Sequence, residues 1–137
     1  MNKTILIVDD DEIIRTLVSE ILKAAGYRTD TAINGRDAVD KTLVSSPDLI
    51  LLDIVMPEMN GIDACRALKA NPATKNIPII MLSSAGQITE IEEALSAGAI
   101  TYVAKPCERD RIIHIIEDTL NPPKEAEWLK VQRPKKS

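Results

Sequence analysis

Cysteine is scarce in this sequence: Cys65 and Cys107 are its only two. They make neither a metal-binding spacing nor a disulfide framework, so each reads as a small buried or half-buried thiol in a reducing compartment. No apolar run approaches the ~20 residues that a membrane span needs. The opening MNKTILIVDDD has too short an apolar stretch for a signal peptide. Basic charge is not in excess either. The net charge of -4 gives no reason to expect direct nucleic-acid binding. Histidine occurs once, as His114 among isoleucines, with no acid or metal partner evident at useful spacing. It reads as a solvated or packing residue rather than a relay histidine. There is no internal repeat and no low-complexity tract. What is left is a chain of 137 residues, 45% hydrophobic and 28% charged, the profile of one soluble cytoplasmic domain able to bury its own core.

What the sequence does have is alternation. Ile5-Leu6-Ile7-Val8 is a continuous β-branched run, as in a strand buried on both faces. Ile14, Leu17, Val18, Ile21, Leu22 and Ala25 then recur at helical spacing before Gly26. Tyr27 to Ile33 is a weaker, threonine-rich strand, and Arg36 to Val44 a short helix with Ala38, Val39 and Leu43 inward. Leu49-Ile50-Leu51-Leu52 is the third strand, followed by the loop IVMPEMNG and a helix over Ile62 to Ala70. Ile77 to Leu82 is the fourth strand, and Glu90 to Ala97 a helix with Ile91, Ala94 and Leu95 inward. Tyr102-Val103 is the fifth strand, and Glu108 to Leu120 the last helix, stopped by Pro122-Pro123. Five β-α units in series imply a doubly wound parallel sheet with helices on both faces.

In such sheets ligands sit outside the carboxyl ends of the strands. Strand one ends in Asp9-Asp10-Asp11, strand three in Asp53 and strand four in Ser83, while strand five leads into Lys105. Carboxylates about 4 Å apart repel by roughly 4 kcal/mol at an effective dielectric near 20, so clustering them calls for a cation. Lys105 offsets one charge, and a hard divalent ion such as Mg²⁺ would offset others. A carboxylate, a cation, a lysine and a hydroxyl together make a phosphoryl-transfer site with a carboxylate nucleophile.

ILIVDDDE, LLDIVMPEMNG, IIMLSS and YVAKP resemble, in order and spacing, the motifs of the response-regulator receiver domain of two-component signalling. The resemblance covers about Lys3 to Leu120. It implies a (βα)5 flavodoxin-like fold with strand order 2-1-3-4-5, occupying residues 1–121. It casts Asp53 as phosphoacceptor, Asp10 as direct metal ligand and Asp9 as its neighbour, with Asp53 and the Val55 backbone carbonyl completing the protein's share of a Mg²⁺ site. Ser83 would hydrogen-bond a phosphoryl oxygen, Lys105 would pair with the phosphoryl group across a cis peptide to Pro106, and Tyr102 would be the aromatic switch. Asp11 reads instead as an N-cap or first-turn acid. Implied partners are a sensor histidine kinase or phosphotransfer protein as donor, and a downstream protein target or a missing output domain. The resemblance also implies signalling through the face made by the fourth helix, fifth strand and fifth helix, and a homodimer is a further expectation. Ile115, surplus to the sheet-covering Ile112, Ile113, Ile116 and Leu120, belongs either to such a patch or to a wide core stripe. Cys107 stands where the family has an aromatic residue.

Two other readings compete. Asp9-Asp10-Asp11 could open a haloacid-dehalogenase-type phosphatase with Asp9 as nucleophile, but Asp53 and its loop would then have no role. The first acids to follow the lysine, Glu108 and Asp110, are helical and not at a strand end. A fold-only interaction module would be expected to have lost Asp10, Asp53 or Lys105, and all three are present. Residues 122–137, rich in proline and lysine, form a solvated tail or linker remnant, or a docking segment anchored by Trp128. They are too short for an output domain, so the chain is expected either to act through protein contacts or to be a fragment of a longer regulator.

Val55 and Ala85 lie two residues beyond Asp53 and Ser83, where the family tunes phosphate lifetime, and neither side chain can orient a water. The expected outcome is slow self-dephosphorylation. A phosphate-release assay should find a longer half-life than in a Val55→Asn/Ala85→Glu variant.

Overall fold

In the computed structural model of the chain, which describes residues 2–84 and 86–122, strands and helices alternate throughout. The elements are β1 Thr4–Val8, α1 Glu12–Ala24, β2 Arg28–Ala32, α2 Gly35–Ser45, β3 Leu49–Asp53, α3 Gly61–Ala70, β4 Ile79–Ser83, α4 Ile88–Ser96, β5 Thr101–Ala104 and α5 Arg109–Leu120. The strands form one parallel sheet in the order β2-β1-β3-β4-β5, the expected doubly wound arrangement. Ala85 and residues 123–137, with Trp128, lie outside the described residues.

The three apolar runs occupy the middle of the sheet because only there are both faces covered. Alternate residues serve two separate cores. Leu6, Val8, Ile50, Leu52, Ile79 and Met81 pack under α2, α3 and α4, with Ala38, Leu68 and Ala94 facing them. Ile5, Ile7, Leu49, Leu51, Ile80 and Leu82 pack under α1 and α5, against Val18, Leu22, Ile112 and Ile116. With no phenylalanine in the chain, both cores are essentially aliphatic. Each such side chain stabilises the fold by roughly 1.5–3 kcal/mol when fully buried. The polar strand β2 takes an edge.

Several inward assignments need correction. Leu17, Leu43 and Leu95 are each more than two-fifths exposed, and Ala25 is exposed as well. The sheet-facing stripe of a helix is narrower than the apolar pattern suggested. In α1 it is filled by Ile14, Val18, Ile21 and Leu22, which leaves Leu17 on the flank. In α2 the slot goes to Thr42, fully buried because its hydroxyl donates to the Ala38 carbonyl at 2.7 Å. Strand β4 begins at Ile79 rather than Ile77, since Pro78 offers only its carbonyl, which accepts from the Ile50 N–H at 3.0 Å. Ile115 packs half-buried on the α1/α5 side with Ile113 and Leu120, so the wide core stripe accounts for it. His114 is exposed, as expected, but it does have an acid partner: Asp118, one turn on, at 3.1 Å. Cys65 is buried and Cys107 half-buried, both free.

The loop between β3 and α3 is held by two glycines that tolerate no side chain. The Gly61 N–H donates to the Ile54 carbonyl at 2.8 Å. A Cβ at Gly61 would lie 2.0 Å from the Asp53 carbonyl oxygen, and one at Gly35 2.2 Å from that of Met59. Backbone cannot yield as a side-chain tip can. Gly61→Ala should therefore destabilise by on the order of 2–4 kcal/mol. Gly26→Ala meets no atom within 4 Å and carries only its left-handed φ of 98°. It should cost nearer 1 kcal/mol. Urea denaturation of the two variants measures the difference.

Candidate functional site

The carboxyl ends of β1, β3 and β4 and the loop after β5 meet at one edge of the sheet. Parallel pairing fixes this, with Val8 beside Leu52, Asp53 beside Leu82 and Ser83 beside Ala104. Asp9 follows β1 directly and is fully buried. All but one of its polar groups are hydrogen-bonded. Its N–H donates to the Ala32 carbonyl at 3.2 Å, its Oδ1 accepts from the Asp11 N–H at 2.9 Å, and its carbonyl accepts from Arg15 Nη1 at 2.8 Å. Its Oδ2 lies 2.6 Å from Lys105 Nζ. That contact is an ion pair without hydrogen-bond alignment, so among the described residues the buried oxygen has no aligned donor.

Asp53, the last residue of β3, is 5% exposed and sits 3.2 Å from Lys105 Nζ through Oδ1. Lys105 is aimed inward by its own backbone, whose N–H donates to the Ser83 carbonyl at 2.7 Å, and the peptide to Pro106 is cis. One carboxylate oxygen each from Asp9, Asp10 and Asp53 lies within 4.8 Å of the others, with Asp10 exposed toward solvent. Ser83 is buried at the end of β4. Val55 stands two residues past Asp53 with its side chain 58% exposed. Tyr102 is not among the acids: it lies on edge strand β5 beside Met81, 38% exposed. Asp11 is the N-cap of α1, its Oδ1 accepting from the Ile13 N–H at 2.8 Å.

The electrostatics follow from burial and crowding. Desolvation, reinforced by Asp9 and opposed by Lys105, pushes the Asp53 carboxyl up to about 6. Burial pulls the Lys105 ammonium down, but Asp9 and Asp53 outweigh it and hold it above the ordinary lysine range. One ammonium does not neutralise three acids. The oxygen donors, the excess negative charge and the unaligned Asp9 Oδ2 fit a hard divalent cation of the Mg²⁺ type.

Sequence reasoning missed three supports. The Arg15 guanidinium holds the Asp9 carbonyl, Asp9 rather than Asp53 is the nearer partner of Lys105, and Gly61 abuts the Asp53 backbone. A basic residue on the first turn after the acids was the only local hint of the first.

Comparison with known proteins identifies the family to which this fold belongs. The family model described as the response regulator receiver domain matches residues 5–117. The chain is 41% identical to the chemotaxis protein CheY of Thermotoga maritima over 118 residues, 85% of this chain and 96% of that one. It is 40% identical to the sporulation initiation phosphotransferase F of Bacillus subtilis over 112 residues, 82% of this chain and 89% of that one. Among solved structures it resembles the receiver domain of a sensor histidine kinase from Pseudomonas aeruginosa PAO1, which has a magnesium ion coordinated in its active-site cleft. The TM-score is 0.81 at 29% identity, covering 88% of this chain and 98% of that one.

A carboxyl whose pKa is raised on folding binds its proton more tightly in the native state, so ionised Asp53 is a standing cost above about pH 6. Asp53→Asn should raise metal-free stability at pH 7–8 by on the order of 1–3 kcal/mol. The gain should fade as pH falls toward 4. Urea denaturation in chelator across this range is the measurement, and added Mg²⁺ should narrow the gap by stabilising the parent protein.

Proposed function

The chain belongs to the response-regulator receiver family, and on that premise we propose that it is a phosphorylation switch that accepts a phosphoryl group on Asp53. The donor is the phosphohistidine of a sensor histidine kinase or phosphotransfer protein. A carboxylate oxygen of Asp53 bonds to phosphorus as the N–P bond breaks, and the imidazole leaves carrying a proton. Asp9, Asp10, Asp53 and the backbone carbonyl of Val55 would hold Mg²⁺, which when bound neutralises charge on the phosphoryl oxygens. Lys105 pairs with those oxygens and limits repulsion between them and Asp9. Ser83, at the end of the neighbouring strand, donates its hydroxyl to one of them. The observation that carries this reading is the convergence of three carboxylates and one half-buried ammonium from three separate chain segments.

Phosphorylation adds charge at a buried point, and the response is a shift of Ser83 and Tyr102 that remodels the face made by α4, β5 and α5. That face carries exposed Ile88, Leu95, Ile100 and Tyr102. It would meet a downstream protein target, an output domain or a second copy. Among the described residues no helix is long and apolar enough to cross a membrane.

Incubation with Mg²⁺ and acetyl phosphate should label the protein once per chain, and Asp53→Asn should abolish the label with the circular dichroism spectrum retained. Catalytic hydrolysis of a chromogenic phosphomonoester would favour a phosphatase instead. If Mg²⁺ and beryllofluoride left Tyr102 and the last two helices unperturbed, the chain would be a fold-only interaction module.

A further inference from the structure

Helix α1 carries apolar surface that the cores do not use. Ile13 is 76% exposed and Leu17 46%, and together they floor a groove edged by Glu12, Thr16 and Glu20. The flank of α1 toward β2 is marked by Ser19, whose hydroxyl lies 2.7 Å from that of Thr29. Ile13 and Leu17 fall on the other flank, the side on which α5 packs against the same core. The groove starts immediately after the acids, since Glu12 is the first residue of α1 and Asp11 its cap.

We propose that this groove is the docking site of the chain's own residues 123–137, with Trp128 seated over Ile13 and Leu17. Three observations select that occupant. The first is position. A polar cleft lined by Lys3, Ala25, Gly26, Tyr27, Glu117 and Asn121 sets the end of α5 beside the end of α1. Leu17 and Ile13 lie eight and twelve residues before Ala25, about 12 and 18 Å along the helix at 1.5 Å per residue. Trp128 follows Asn121 by seven residues, a reach of about 23 Å when extended. The second is charge. Residues 121–137 hold five lysines and arginines against two glutamates, a net +3, so the rest of the -4 chain carries -7. The third is pattern: Trp128, Leu129 and Val131 are interleaved with Lys130 and followed by Arg133, complementing an Ile/Leu floor edged by glutamates. A tethered segment meets its groove at a millimolar-range effective concentration, so a contact too weak to hold between molecules is populated within one.

A segment seated there flanks the approach to Asp53 and competes with a protein phosphoryl donor, leaving a small donor free to enter. That competition rests on the reading of Asp53 given above, whereas the docking does not.

Trp128 is the only tryptophan, so its fluorescence reports on the segment in the full chain. Its emission should lie to the blue of that of a peptide of residues 121–137, with weaker acrylamide quenching, at every protein concentration. Both differences should be lost in Leu17→Glu and in Ile13→Glu, exposed positions whose circular dichroism should match the parent. Peptide-like emission in the parent, or emission indifferent to both substitutions, would overturn the docking. A blue shift that grows with protein concentration would assign the groove to a second copy and overturn it as well. Trp128→Ala should be labelled faster than the parent by a phosphohistidine protein and at the parent rate by acetyl phosphate. Equal rates from the protein donor would remove the competition. Failure of both proteins to label from acetyl phosphate would instead remove the reading of Asp53, with the emission still deciding the docking.

Discussion

The contact between Lys105 and Asp9 constrains the rest of the structure. It joins a loop after the edge strand β5 to the end of β1, three places away in the sheet, passing over Asp53 at the end of β3. Both partners are largely removed from water, so leaving either alone would strand a buried charge at a cost of roughly 3–5 kcal/mol. The contact forms only if four strands end level. Level ends require parallel register, parallel register requires crossover helices, and the helices require apolar strands buried on both faces. The β-branched runs and the charged site are therefore two aspects of one arrangement.

The same crowding that makes the site costly makes it reactive. An Asp53 carboxyl held up near 6 is ionised at neutral pH but poorly compensated, and any cation or phosphoryl group that completes the balance changes the energy of the whole edge. How that change spreads depends on how firmly each helix is anchored. Asp11, Asn34 and Asn60 cap α1, α2 and α3 by accepting from backbone N–H groups, whereas α4 and α5 have no side-chain cap. Gln87, at the cap position of α4, spends its side chain on the Ser84 N–H at 2.6 Å. Helix α4 also has a single fully buried residue, Ala94, a small anchor. Local stability is lowest where caps and buried apolar contacts are fewest, which places the least-anchored helix next to Ser83.

The strands, their order of burial and the identities of the charged residues were legible because each rests on a local pattern: a continuous apolar run, a helical period, an acid at a strand end. Asp9, Asp53 and Lys105 come together where that reasoning placed them. Less legible was anything set by competition between neighbouring elements. Leu17, Leu43 and Leu95 match a helical period yet lie exposed, because stripe width is decided by the sheet beneath and not by the helix. Thr42 was passed over as polar, though a hydroxyl that satisfies itself on the preceding turn buries as readily as valine would. Gly61 and Arg15 act on the backbone of residues eight and six positions away, and no side-chain pattern records such contacts.

The acidic turn after β1 shows why the site and α1 behave as one piece. Asp11 donates its N–H to Asp9 Oδ1 and uses its own Oδ1 to accept from Ile13, while Arg15, one turn into the helix, returns to the Asp9 carbonyl. The first turn of α1 is thus tied to Asp9 through both its carboxylate and its backbone carbonyl. Any charge placed on Asp53 pulls on Lys105, any movement of Lys105 changes the surroundings of Asp9 Oδ2, and Asp9 cannot shift without the start of α1. Whatever rests against Ile13 and Leu17 therefore touches a helix whose first turn is hydrogen-bonded to the buried Asp9.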